Sequence, residues 1–114
     1  MTAGGPAETP EPPRDCERCP RLVGFRHDWR EREPGWFNGA VGSHGAVEAR
    51  LLILGLAPGL RGANRTGIPF TGDASGTMLF AALAHAGFAD AAPWPHDIPV
   101  LHDAMITNAV RCVP

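Results

Sequence analysis

Three cysteines and one long glycine-rich segment are the parts of this 114-residue sequence best suited to chemistry. Cys16 and Cys19 are separated by two residues, a spacing that lets two thiolates reach one metal centre, and Cys112 is available as a third ligand. A single Cys-x-x-Cys is weak evidence by itself. The second feature runs from Gly55 to Asp73, GLAPGLRGANRTGIPFTGD. No Gly-Lys-Ser/Thr follows it and it is not a GxGxxG motif, so the familiar ways of cradling a nucleotide phosphate are disfavoured. Within it, Phe70 could be a stacking face or a core residue, and Asp73 could be a functional carboxylate or the N-cap of the next helix, the latter worth about 1 kcal/mol. Asn64 and Arg65 could contact phosphates or form a solvated loop face. Asn108 lies inside the apolar run Ala104 to Val110, where an amide left unpaired costs about 1 to 3 kcal/mol, so a functional role is favoured there.

These residues need elements to position them. Residues 1–14 are rich in Pro, Gly, Glu and Ala without periodicity and are expected to form a disordered tail. From Pro20 through Arg32, apolar residues at Leu22, Val23, Phe25 and Trp29 approach helical spacing behind a proline suited to a first turn. The segment from Pro34 to Val47 is glycine-rich but carries Trp36 and Phe37, so an ordered loop is expected rather than a linker. Arg50 to Leu56 (RLLILGL) is a continuous apolar run, the pattern of a parallel strand buried on both faces. Residues 57–74 form a loop too long to be an ordinary connection. Ser75 to Gly87 predicts a helix apolar almost all round, with Asp73 or Ser75 as N-cap and Gly87 as the stop. A Pro-rich connection, Phe88 to Asp103, leads to a second strand beginning at Ala104. Strand, helix and strand in that order imply a right-handed parallel crossover, with the ligand crevice outside the carboxyl ends of the strands. Gly55 to Asp73 and Asn108 to Cys112 both fall there.

Composition narrows the function classes. The formal net charge of −2 gives no global electrostatic signature of nucleic-acid binding. All ten cations are Arg, which together with the Ala, Gly and Pro content reads as coding bias rather than selection for bidentate contacts. There is no apolar run of about 18 residues, and the start has neither a basic nor an apolar leader region, so a cytosolic protein without membrane association is expected. Three cysteines in that compartment make a metal or cluster role a more natural question than a disulfide framework.

The motifs resemble a known family. Gly55-Leu56-Ala57-Pro58-Gly59, Gly62-Ala63-Asn64-Arg65-Thr66-Gly67 and Pro69-Phe70-Thr71-Gly72-Asp73 resemble the first motif of the family 5 (type b) uracil-DNA glycosylases. Cys16-Glu17-Arg18-Cys19-Pro20-Arg21-Leu22-Val23 and Thr107-Asn108-Ala109-Val110-Arg111-Cys112-Val113-Pro114 resemble two further signatures of that family, in the same order. The related family 4 enzymes have Glu where this loop has Leu56, which favours family 5. The resemblance covers the chain from Cys16 to Pro114, with the stretch Phe88 to Asp103 adding little.

The resemblance implies a three-layer α/β/α sandwich with a mainly parallel central sheet, expected to be incomplete in this chain, residues 15–114 forming its N-terminal part. It also implies base excision repair: hydrolysis of the N-glycosidic bond of uracil and other deaminated bases in double-stranded DNA, by a monomer associated with the nucleoid when acting. Asp73 and Asn108 are then the catalytic candidates. Ala57, Pro58, Gly59, Phe70 and Asn108 hold the base, with Phe70 stacking on it and Asn108 reading its edge, while Asn64 and Arg65 touch DNA. Cys16, Cys19 and Cys112 become ligands of a 4Fe-4S cluster. In the family a fourth Cys and a His-containing motif lie further downstream, so these 114 residues are expected to be inactive alone. His44, His85, His96 and His102 match no such motif, and His27 is read as a solvated or capping residue on the first helix. A reading from another class is a small zinc or iron-sulfur interaction module without catalysis.

Overall fold

A computed structural model describes residues 11–92 and 98–114. The first helix, α1, spans Pro20–Arg32 as the spacing predicts, with Pro20 in the first turn where its missing N–H costs nothing. Trp29 stacks on Trp36 at 5.4 Å and nearly parallel, so the aromatics of the following loop lie against the helix rather than in solvent. The side chain of α1 that is fully buried is Arg26, an unusual choice for a core position.

Three strands form one mixed sheet in the order β1-β3-β2: β1 is His44–Gly45, β2 Leu51–Gly55 and β3 Ala104–Asn108. β2 and β3 are parallel, with Leu51 opposite Ala104, Ile53 opposite Ile106 and Gly55 opposite Asn108. β1 pairs antiparallel with β3 inside the segment expected to be an ordered loop. Between β2 and β3 lie the single turn α2 (Ala63–Thr66) and the helix α3 (Ala74–His85). The chain is therefore an α/β structure with the expected strand, helix, parallel strand order.

Burial differs from expectation at β2. Leu51 and Ile53 pack with Ile106, Phe80, Leu83 and Phe70 in the core beneath α3, whereas Leu52 and Leu54 on the opposite face are 56% and 61% exposed. Among the described residues one face of β2 is covered, as in an incomplete version of the expected three-layer sandwich. α3 is likewise one-sided: Gly76, Phe80 and Leu83 are buried and Met78 is exposed, although the sequence is apolar all round. It ends as its sequence predicts, with Gly87 at a φ of +90° and Phe88 N–H donating to the Leu83 carbonyl over 2.8 Å.

The disorder expected for residues 1–14 does not extend over Glu11 to Arg14. Arg14 donates to the Phe37 carbonyl through Nε and Nη2 (2.9 and 2.7 Å), and Glu11 accepts from Ser43 N–H and Arg111 Nη1, both at 2.7 Å. These charge-assisted bonds anchor the segment where composition alone would leave it loose. Residues 1–10 of the expected tail, and His96, lie outside the described residues.

Two consequences can be measured. Gly24 lies on the exposed face of α1 with nothing within 4 Å of an added Cβ, so Gly24→Ala should raise stability by about 0.5 to 1 kcal/mol in urea unfolding; a loss would show that α1 is packed differently. Asp103 accepts from Arg50 N–H (2.8 Å) and Arg50 Nε (2.6 Å), and these bonds, the backbone one first, hold its carboxyl below the usual carboxylate range. A depressed folded-state pKa contributes stability that is present above the unfolded value and is lost as pH falls through the folded one. Asp103→Asn should therefore be less stable than the parent at neutral pH, and the difference should vanish on acidification below the carboxylate range. A difference independent of pH would contradict this.

Candidate active site

The parallel register fixes one corner of the site. Ala104, Ile106 and Asn108 alternate onto the face that α3 covers, so the hydrophobic stripe of β3 ends in an amide at the carboxyl edge of the sheet. Pairing continues past the strands, Ala109 N–H donating to the Gly55 carbonyl and Val110 N–H to the Leu56 carbonyl, each at 2.9 Å. Asn108 is thereby held at 5% exposure, and Arg111 Nε donates to its carbonyl at 2.9 Å.

Opposite it, Gly55 leaves the room that the site uses. A Cβ at Gly55 would lie 2.5 Å from both Asn108 Oδ1 and Phe70 Cζ, so the amide and the ring meet over a bare Cα. Phe70 itself adopts a φ of +61°, a left-handed conformation rare for a bulky residue and the kind of strain, of order 1 to 3 kcal/mol, that surrounding structure must offset. Its backbone is clamped by α3: a Cβ at Gly76 would fall on top of the Phe70 carbonyl oxygen.

Asp73 takes the capping role its position allowed and also borders a cavity. It is the N-cap of α3, accepting from Gly76 N–H at 3.5 Å, and its Oδ1 also accepts from Ser75 Oγ at 2.7 Å. Its Oδ2 packs against Gly59 and Gly62, where an added Cβ on Gly62 would run into the carboxylate. The carboxylate is thus oriented from two sides and still borders open space. Ala57, Pro58, Gly59, Phe70, Asp73 and Asn108, together with Ala63 and Ser75, line one cavity of about 50 Å³. A larger one of about 340 Å³ shares Phe70 and Asp73 as walls and continues along the start of α3 past Gly76 and Phe80. Groups read from three separate stretches of sequence therefore meet at one place.

Asn64 does not belong with them. It is 1% exposed, its Nδ2 donates to Asn38 Oδ1 at 3.0 Å, and a phosphate could not reach it. Its place is structural: Asn38, which also donates to the Glu33 carbonyl at 2.8 Å, ties the loop after α1 to α2. The sequence signal for this anchor was the Asn38-Gly39 turn pair, whose φ of +46° at Asn38 suits a side chain that bonds locally. Arg65 is exposed; Nε donates to the Arg61 carbonyl (2.8 Å) and Nη2 to the Gly72 carbonyl (3.1 Å), bracing the loop while leaving its edge towards solvent. None of His27, His44, His85 and His102 lines the small cavity; His44 bonds the Pro99 carbonyl and His102 pairs with Asp90.

The cysteines meet elsewhere. Cys16, Cys19 and Cys112, all free thiols, line a cavity of about 630 Å³ between the start of α1 and the segment after β3, together with Leu22, Ala40 and Val110. Burial pushes the Cys112 thiol up, Arg26 opposes that shift, and Cys16 and Cys19 add to it through their own charge. Among the described residues no three His, Cys, Asp or Glu side chains are grouped closely enough for a single metal ion. A four-iron cluster anchors each thiolate on a different iron and so tolerates wider separation than one tetrahedral ion. Three thiols facing one roomy cavity fit the larger group better.

Residues 43–114 match the family model of the uracil DNA glycosylase superfamily, and the chain belongs to that superfamily. Among curated relatives it is 46% identical over 106 residues to a Type-5 uracil-DNA glycosylase of Thermus thermophilus, an alignment covering 87% of this chain and 48% of the relative. It is 37% identical over 140 residues to a Type-5 uracil-DNA glycosylase of Mycobacterium leprae, covering 100% of this chain and 55% of that one. The chain thus spans about half the length of these relatives. No helix among the described residues is long and apolar enough to cross a membrane.

The tight meeting of α3 with Phe70 is directly testable. Gly76→Ala should destabilise by about 1 to 3 kcal/mol or more, because the clash is with backbone that has no rotamer to yield. An unchanged melting temperature would mean that the loop before α3 does not rest on the helix.

Proposed function

We propose that the protein carrying this chain excises uracil and other deaminated bases from double-stranded DNA by hydrolysing the N-glycosidic bond. The observation that carries this reading is the cavity shared by the turn at residues 57–59, the Phe70 ring, the Asp73 carboxylate and the Asn108 amide. An enzyme that reads a single base must extrude it, stack it on an aromatic face and bond its Watson–Crick edge with fixed groups, and this is the set of groups it needs. The cavity has room for about one or two waters, each occupying about 30 Å³ in the liquid. A pyrimidine needs more room than this, and the adjoining cavity of about 340 Å³ shares Phe70 and Asp73 as walls.

In the bound state the Asn108 amide pairs with the base edge, and the backbone N–H groups of Ala57 and Gly59 approach a base carbonyl that gains charge as the bond breaks. Water attacks C1′ while the electron pair of the C1′–N bond leaves on the base. Asp73, whose Oδ1 accepts from Ser75 Oγ and from Gly76 N–H at the start of α3, faces the sugar to orient that water, take its proton and offset the positive charge developing on the ring. Arg65 on the loop rim meets a flanking phosphate. Cys16, Cys19 and Cys112 hold a 4Fe-4S cluster whose work is structural, pinning α1 to the segment after β3. A small zinc or iron-sulfur interaction module without catalysis would use the same three cysteines but gives the cavity at Pro58, Phe70, Asp73 and Asn108 no role. A monomer acting in the cytoplasm, at the nucleoid, completes the reading.

The test uses the complete polypeptide on a duplex with one U mismatch. Asp73→Asn keeps a good N-cap and removes the charge, so excision should fall by about a hundredfold or more with little change in melting temperature. Asn108→Ala should likewise lose far more turnover than stability. Absence of abasic product from the parent protein, or equal loss of folding and turnover in both variants, would remove the proposal.

A further inference from the structure

We infer that Arg26 is the buried counter-ion of the cluster, a positioning residue that holds it in place and raises its reduction potential. This rests on the cluster assignment made above and extends it to a side chain outside the cysteine motifs. Arg26 is 1% exposed, and its Nη1 donates to the Cys16 carbonyl at 3.0 Å and to Cys112 Sγ at 3.8 Å, so one guanidinium ties together the two thiol-bearing segments. Its Nε is buried without a partner. Among the described residues no carboxylate lies within ion-pair distance of it; Asp15, whose carboxyl feels its charge, is paired with Arg30 at the surface.

A buried cation without a counter-charge is costly, of the order of several kcal/mol even after relaxation, and natural proteins pair it or coordinate it. The groups able to carry negative charge that line the 630 Å³ cavity are the three thiols and Glu11, and Glu11 is already paired with Arg111 and Ser43 as Asp15 is with Arg30, which leaves the thiols to face Arg26. Four thiolates on a 4Fe-4S core give an anion, and its reduced form carries one more negative charge. A positive group hydrogen-bonded to a ligand sulfur stabilises the reduced form more than the oxidised one and so raises the potential, one of the known levers on such clusters. Thiols alone would not need an arginine at a core position of α1. An anionic cluster does.

The experiment measures iron content, visible absorption and one-electron reduction potential by protein-film voltammetry on the complete polypeptide, for the parent, Arg26→Lys and Arg26→Met. The parent binds iron. Arg26→Met should lower the potential by about 59 mV or more, a tenfold shift in the ratio of oxidised to reduced protein for one electron, or release the cluster outright, while Arg26→Lys keeps both iron and most of the potential. Iron retained at an unchanged potential in Arg26→Met overturns the inference and leaves the cluster assignment standing. Loss of iron from both variants assigns Arg26 to packing and overturns it as well. An iron-free parent overturns the cluster assignment and this inference together.

Discussion

Everything in the site depends on the register of one parallel strand pair. With Gly55 set opposite Asn108, the only residue type without a side chain faces an amide at the edge where the sheet ends and the loops begin. A slip by one residue would turn Asn108 to the other face and put Thr107, which bonds Ser43 Oγ at 2.9 Å, towards α3. Register is secured below by Ile53 and Ile106 in the core and above by the two further backbone bonds from Ala109 and Val110. Packing under α3 thus becomes a placement of one polar group at the edge of the sheet.

The long loop is ordered by the same economy. Asn38 and Asn64 bury their amides against each other, and Arg65 and Asp73 bond backbone within the loop or at the first turn of α3, so the glycine-rich segment acts as a rigid frame. Glycines at 55, 59, 62 and 76 let backbone, ring and carboxylate approach where any side chain would collide. Phe70 carries the local strain that results. A helix cap, a strained ring and a buried amide each serve the fold, and each also borders the cavity.

Much of this was legible in the residues. α1, β2, α3 and the start of β3 followed from apolar spacing and from Pro20, Asp73 and Gly87 as punctuation, because those signals act within a few residues. That residues 55–73 and 108–112 approach one another followed from the rule that parallel sheets bind ligands at their carboxyl edge, and the choice of Pro58, Phe70, Asp73 and Asn108 within them from the family resemblance. What was not legible depends on distant partners. The exposure of Leu52 and Leu54 reflects what covers the sheet, which no window of sequence encodes. The two-residue strand β1 is made by its neighbour β3, and Glu11 to Arg14 are ordered by Phe37, Ser43 and Arg111. Asn64 reads as a loop-surface residue until its partner Asn38, 26 positions earlier, is seen. Arg26 reads as one more polar residue of an amphipathic helix until its burial beside Cys112 is known.

The central claim is that the turn at Pro58, the Phe70 ring and the Asn108 amide form one receptor for a pyrimidine edge. A two-dimensional ¹⁵N–¹H spectrum recorded during titration with free uracil, and in parallel with thymine, tests it most directly. The account predicts that uracil shifts the Asn108 side-chain NH₂ pair together with the backbone amides of Ala57 and Gly59. Shifts confined to other regions, or none at saturating uracil while the spectrum remains that of the folded protein, would contradict it.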